Sequence, residues 1–273
     1  FDTTISPWGA ASVNTSNNFH LYDLEATHGA AVRLKEKLFT LAGHLLHTPP
    51  EELVLVDDII RVNAAPEQQI GLAELARVAY GNQARMPDGF EAGLQVTYLY
   101  KFAHVQPHGL PDEQHRVRAQ FTFSAAAHIA LVEVNGDTGQ VQVLRYLIVG
   151  DNGTVINPSV VEGQIYGSAA HGISVALGEG FAYDSDGQLM TATLTDYGKS
   201  SSLDTPHIEV EHRPEPSPFT TLGQKAAGEG AAIPSPAAIA SAVEDALRPF
   251  GVRVRELPLT QETVWRLMRQ KPV

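Results

Sequence analysis

The chain has 273 residues, 43% of them hydrophobic and 18% charged, and its 19 Lys and Arg against 31 Asp and Glu leave a formal charge of −12. This is the composition of a folded domain with a sizeable core, which excludes disorder over most of the length. An acidic chain without a basic stripe excludes nucleic-acid binding, and the absence of cysteine excludes disulfides, thiolate metal sites, iron–sulfur clusters and cysteine nucleophiles within this chain.

No apolar run reaches the ~20 residues of a membrane span. The chain opens on Phe1 without a basic region followed by an apolar one, which reads as a processing boundary or the edge of a longer polypeptide. With no targeting signal visible, the cytoplasm is the expected location.

Residues 1–18 are small and polar and read as a loop. Apolar residues at Leu24, Ala31, Leu34, Leu38, Leu41 and Leu45 predict a helix between Asp23 and His47, stopped by Thr48-Pro49-Pro50. Glu51 to Val62 predicts a hairpin around Asp57-Asp58, and Leu72 to Tyr80 a short helix. From about Gly93 three strands are expected, within 94–105, 115–134 and 140–150, the last two joined by a turn at Asn135–Gly139. Asn157-Pro158 caps a helix running to about Leu177, and Ser235-Pro236 caps another. The whole is an α+β fold with mixed sheets and packed helices.

His104, His108 and His115 lie close in sequence but have no carboxylate at ligand spacing, and they read as surface residues. Three segments are small-residue-rich and sparse in charge. Gly9 to Thr15 could bring free backbone N–H groups to a phosphate or a fused heterocycle, or be a capped turn. In Val161–Gly172, glycines at 163, 167 and 172 each cost a helix ~1 kcal/mol, which suits close helix contact or close ligand approach. Gln164 there could give a ring both a donor and an acceptor. In Lys225–Pro234, Glu229 stands among small apolar residues, where burial would raise its pKa toward general-base range; a solvated loop carboxylate is the plainer reading.

Taken together and in order, these segments resemble the xanthine dehydrogenase/aldehyde oxidase family of molybdenum hydroxylases. KAAGEGAAIPSPAAIASAVEDAL is similar to the motif carrying the family's active-site glutamate, and HIALVEVNGDTGQVQVLRYLIVGDNGTVINPSVVEGQIYGSAAHGI to its strand–turn–strand–helix signature. GAASVNT resembles the pterin-holding loop, and DYGKSSSLDTPHIEV the stretch between the last two motifs. The likeness covers nearly the whole chain and is to the second, C-terminal molybdopterin-binding domain. Within it, about 1–90 would form a helical part with the pterin loop and about 91–273 a strand-rich part with the glutamate loop.

The resemblance implies a molybdopterin, in its cytosine dinucleotide form, holding molybdenum through the pterin dithiolene with no direct protein ligand. It implies hydroxylation of an aldehyde or an N-heterocycle with oxygen from water. Glu229 would be the general base, and Gln164 would hydrogen-bond an oxygen on the metal. Ala10, Ala11, Ser12, Val13, Asn14 and Thr15, with Lys225, Ala227 and Gly228, would contact the cofactor. Asn14 departs from the small or hydroxyl residue common there. The implied partners are a small-molecule substrate, the first molybdopterin-binding domain, whose Gly-Gly-x-Phe-Gly loop is absent here, an iron–sulfur subunit and a flavin subunit. A metal-free scaffold of the same fold and a nucleotide-binding module are the alternatives.

Overall fold

The computed structural model describes residues 18–101, 111–116 and 121–270. The described chain divides into two compact units, one of residues 22–101 and one of residues 18–21 with 111–270. A single turn of helix, α1 (Asn18–Leu21), belongs to the latter.

In the first unit, α2 (Asp23–Leu46) ends where His47 turns left-handed at φ 53°, its N–H returning to the carbonyls of Gly43 and His44. The expected hairpin is β1 (Leu53–Val56) with β2 (Ile59–Val62), antiparallel around Asp57 at φ 54°. A third strand, β3 (Ala65–Gly71), pairs antiparallel with β2 and was not anticipated. Only Ile70 of β3 is buried, and Pro66 suits an edge strand, so no apolar alternation announces it. The predicted short helix is α3 (Leu72–Gly81). Leu38, Leu41, Leu53, Ile60, Leu75 and Val78 make the core of this unit.

The strand expected over 94–105 is not formed in its described part, 94–101, which has no ladder partner. That stretch follows α2 instead. Arg33 Nη1 donates to Thr97 O at 2.9 Å, its guanidinium lies 4.7 Å from the Tyr98 ring centre, and a side chain at Gly29 would strike that ring. The alternating pattern is thus spent on a helix surface rather than a sheet.

In the second unit, β4 (Ala125–Val134) and β5 (Val141–Asp151) form the long antiparallel hairpin. Asn135 Oδ1 accepts from the N–H groups of Asp137 and Thr138, and Gly139 supplies φ 78°. The expected strand start at His115 is corrected to Ala125; His115 itself sits in a turn at φ 58°. The β5 strand leads into α4 (Pro158–Leu177), whose cap forms as predicted, Asn157 Oδ1 accepting from Val160 N. After the single turn α5 (Leu194–Tyr197), β6 (Ile208–His212) returns parallel to β5, so the three-stranded sheet is mixed. Two further helices follow, α6 (Pro234–Ala246) and α7 (Gln261–Arg269).

The core gathers Tyr146 and Ile148 of β5 with Ile165, Ala169 and Ile173 of α4 and Ile239 and Val243 of α6. The two helices approach closely at Gly172, where a Cβ would meet Ser235 Cβ at 2.5 Å and Ala232 O at 2.8 Å. Ser235 is not the cap of α6. The preceding turn already winds helically, with Ala232 and Ile233 donating to Glu229 O, so Pro234 takes the first helical position. The Ser235 hydroxyl then points backward and donates to Ala231 O at 2.6 Å.

The end of β5 grips residues 223–226 along their backbone. Lys225 N donates to Asn152 O at 3.0 Å, Asn152 Nδ2 to Ala226 O at 2.8 Å, and Thr154 N to Gly223 O at 2.9 Å. Lys225 Nζ adds a contact of 2.6 Å to Asp151 Oδ2, while Asp151 Oδ1 accepts from Gly153 N and Glu215 N. Any Cβ at Gly153 would lie 2.3 Å from Gly223 O, and its φ of 61° demands glycine. Burial pushes the Asp151 carboxyl up, but the Lys225 ammonium and the two backbone N–H groups outweigh it and hold the pKa below its ordinary value.

Three substitutions test these contacts through stability. Gly172→Ala should destabilise by about 1–3 kcal/mol through overpacking, whereas Gly163→Ala, whose Cβ meets nothing within 4 Å, should stabilise by about 0.5–1 kcal/mol; urea unfolding reads both. Asp151→Asn should cost about 2–4 kcal/mol at neutral pH by leaving the ammonium without its partner. Because the carboxyl pKa is lowered on folding, its contribution is present above the ordinary aspartate range and lost as the pH falls through the folded value. The gap between Asp151→Asn and wild type in unfolding experiments should therefore narrow below about pH 4.

Candidate functional site

The site is built in the second unit from one helix face and one loop. On α4, Val160, Gly163, Gln164, Gly167 and His171 recur at helical spacing and are all exposed. The opposite face, through Ile165, Ala169 and Ile173, is buried against the sheet and α6. The three glycines of this helix therefore separate into two kinds. Gly172 is required by the contact with α6, whereas a Cβ at Gly163 or Gly167 would meet nothing within 4 Å. Nothing among the described residues requires those two to be glycine.

The Lys225–Pro234 loop joins this face through Ser168, one turn along α4 from Gln164, whose hydroxyl donates to Gly228 O at 2.6 Å. Gly228 likewise has open space where a Cβ would stand. Ala226, Ala227 and Ala231 are buried and anchor the loop, and residues 228–229 arch outward between them. Of the two readings the sequence left open for Glu229, the solvated one describes its surroundings here. Its side chain is exposed in this chain, because the small apolar neighbours hold the backbone to the core and leave the carboxylate outside.

Lys225 also differs from expectation. Both its ammonium and its backbone N–H are committed to the β5 grip, so neither is a free donor. Gln224, only 2% exposed, reaches back with Nε2 to His20 O on α1 at 3.1 Å. That bond ties the glutamate loop to the helix that follows the Ala10–Thr15 segment in sequence. Ala10, Ala11, Ser12, Val13, Asn14 and Thr15 themselves lie outside the described residues, as do His104 and His108.

Exposed apolar side chains include Val160 and Tyr166 on α4 and Ile233 at the end of the loop, the last 73% exposed. A shallow cavity of about 270 Å³ continues along α4 from Gly167, lined by His171, Ser174, Glu179 and Lys199 among others. A larger hollow of about 570 Å³ beside α6 is lined by Glu244, Asp245 and Arg253 and contains none of the candidate residues. Among the described residues, no three His, Asp or Glu side chains are grouped so as to hold a metal, and no helix is long and apolar enough to cross a membrane.

Sequence reasoning missed Ser168 and the Asp151-Asn152 grip. Ser168 lay in view as a small hydroxyl four residues from Gln164, a spacing that places both on one helix face. The Asp-Asn-Gly run ending a strand signalled a turn, but not which distant backbone it would hold.

Residues 2–206 match the family described as the molybdopterin cofactor-binding domain. The nicotine 6-hydroxylase large subunit of Paenarthrobacter nicotinovorans is 36% identical over 87% of this chain and 27% of its own length. The carbon monoxide dehydrogenase large chain of Hydrogenophaga pseudoflava is 27% identical over 98% of this chain and 31% of its own. The crystal structure of quinoline 2-oxidoreductase from Pseudomonas putida 86 superposes with a TM-score of 0.74 at 36% identity, over 89% of this chain and 29% of that one. This chain thus spans under a third of the length of these relatives. The matched family region includes Gln164 and Ser168 and stops short of the Glu229 loop, which the longer alignment to the carbon monoxide dehydrogenase chain covers. The α+β architecture, the sequence signature and the matched family agree: the chain belongs to the molybdopterin cofactor-binding domain family of the molybdenum hydroxylases.

Proposed function

We propose that this chain forms the molybdopterin-binding catalytic part of a molybdenum hydroxylase, with Glu229 and Gln164 as the residues that act on the reacting groups. The observation that carries the reading is the joining of two features by Ser168: an α4 face kept free of side chains at Gly163 and Gly167, and a loop presenting an exposed carboxylate beside Gly228. A helix gives up about 1 kcal/mol at each interior glycine. Here the space so created is filled by nothing within the described chain, which suits the close approach of a flat, polar cofactor. The residues fit such a group, since the Gln164 amide supplies a donor and an acceptor and the Ala227–Gly228 backbone runs alongside.

When bound, the cofactor supplies a redox-active molybdenum centre able to take an electron pair from a substrate carbon and to provide water-derived oxygen to it. The protein's own part is positional and acid–base. Glu229 would accept a proton at a carboxylate oxygen as the oxygen nucleophile forms its bond to carbon. Gln164 would hydrogen-bond the bound cofactor through its side-chain amide, and Gly228 would let the backbone approach it without a Cβ in the way. Ala10 to Thr15, with Ala227 and Gly228, would hold the pterin and its phosphate through backbone N–H groups, and Lys225 contributes by fixing the loop.

The exposure of Glu229, Val160, Tyr166 and Ile233 supports a further body closing over this face. We assign that place to the first molybdopterin-binding domain, on another chain or elsewhere in the same polypeptide. Closure would exclude water from the carboxylate. Iron–sulfur and flavin groups belong to partner chains in a cytoplasmic complex, and the cofactor is the cytosine dinucleotide form. The substrate is an N-heterocycle hydroxylated at a carbon beside nitrogen. The 36% identity to proteins named for nicotine and quinoline supports that class over aldehydes.

Glu229→Gln in the assembled enzyme should lower turnover of an N-heterocycle such as quinoline by about 100-fold or more, the usual worth of a general base, with bound molybdenum unchanged. Retention of more than about a tenth of wild-type turnover would assign the proton to another group.

A further inference from the structure

A histidine outside the site already described backs the glutamate loop. His128 on β4 and Tyr146 on β5 are diagonal neighbours on the core face of the hairpin, Ala130 being directly opposite Tyr146. His128 Nδ1 lies 2.8 Å from the Tyr146 hydroxyl and 3.3 Å from Ser235 Oγ, and both Tyr146 and Ser235 are fully buried. Ser235 Oγ in turn donates to Ala231 O, two residues past Glu229. On the other side, Ser168 donates to Gly228 O. Two serine hydroxyls therefore hold the carbonyls that flank Glu229, and only one of them is reinforced by a histidine.

The proton inventory fixes how this chain runs. The single hydroxyl proton of Ser235 is spent on Ala231 O, so its oxygen can only accept from His128 or Tyr146. Nδ1 lies nearer the Tyr146 hydroxyl, at 2.8 Å, than Ser235 Oγ, at 3.3 Å. With the proton on Nδ1 the imidazole donates to the Tyr146 oxygen, and the Tyr146 hydroxyl passes its own proton to Ser235 Oγ. Burial pushes the imidazole toward its neutral form, which leaves Nε2 as an acceptor; that atom is buried and has no partner among the described residues. Donation into Ser235 stops the hydroxyl from rotating away from Ala231 O.

We infer that His128 is a positioning residue for the catalytic loop, acting through Ser235 and the Ala231 carbonyl to fix where Glu229 stands. The inference rests on the proposed role of Glu229, but its test does not require turnover. In the assembled holoenzyme, hydrogen–deuterium exchange of the amides across 228–233 should quicken about fivefold or more in His128→Leu, the effect of losing one hydrogen bond. His128→Asn, whose amide can place a donor near the Nδ1 position, should restore exchange to within about twofold of wild type. Ser235→Ala, which leaves the sheet untouched, should match His128→Leu, and molybdenum content should hold in all three. Unchanged exchange in His128→Leu or Ser235→Ala would overturn the inference. Equal acceleration in the Leu and Asn variants would overturn it too, because the residue would then serve by its shape alone. A Glu229→Gln enzyme that stays active would remove the catalytic reading and leave the exchange result standing.

Discussion

The arrangement depends first on the grip between the end of β5 and residues 223–226. A sheet strand is rigid because its neighbours hold it along its length, whereas a loop of Gly, Ala and one carboxylate has no such support of its own. Asp151 and Asn152 extend the rigidity of β5 to that loop, through a nearly buried Lys225–Asp151 ion pair and through backbone bonds on both sides of Lys225. Ion pairs of this kind add little net stability over a well-filled apolar core, but they are costly to leave half-made, which makes one geometry strongly preferred. Gly153 and Gly223, both at positive φ, allow the two backbones to come this close. The position of Glu229 depends on this junction being formed.

Downstream of the grip, the loop is secured by hydroxyl groups rather than by side-chain bulk. Ser168 and Ser235 each use their one proton on a carbonyl, at Gly228 and Ala231, so the peptide carrying Glu229 is pinned at both shoulders while its carboxylate projects outward. The same economy shapes α4. Its buried stripe holds the helix on the sheet, Gly172 lets α6 nest against it, and Gly163 and Gly167 leave its outer face bare. A helix that is tightly bound on one side and stripped on the other presents a stable wall to a ligand, a better platform for chemistry than a loop that must be ordered on binding.

Much of this was legible from residues. The Asn157-Pro158 cap, the Asn135–Gly139 turn and the α2 stop at His47 each follow from local chemistry, and each formed as expected. The family was readable because four segments occurred in order, although each alone was weak. What failed needed tertiary information. The alternation in 94–101 promised a strand, but Arg33 and Gly29 receive that segment on a helix surface. β3 and β6 were missed because their partners, not their own patterns, make them strands. Ser235 was read as a cap because the helical winding of the preceding turn leaves no local trace. The exposure of Glu229 matches the plainer of its two readings, since small apolar neighbours signal that a backbone is buried and say nothing of which way the one charged side chain projects.

The central claim is that this chain holds a molybdenum-bearing pterin against α4 and the Glu229 loop. Molybdenum per copy of the chain, measured by elemental mass spectrometry on the complex captured from its own host, tests it directly. The account predicts a value near one, with an iron–sulfur subunit in the same sample. A value near zero, in a host shown to make the cofactor and with the partner chains present, would contradict it and leave a scaffold in which Glu229 is an ordinary loop carboxylate.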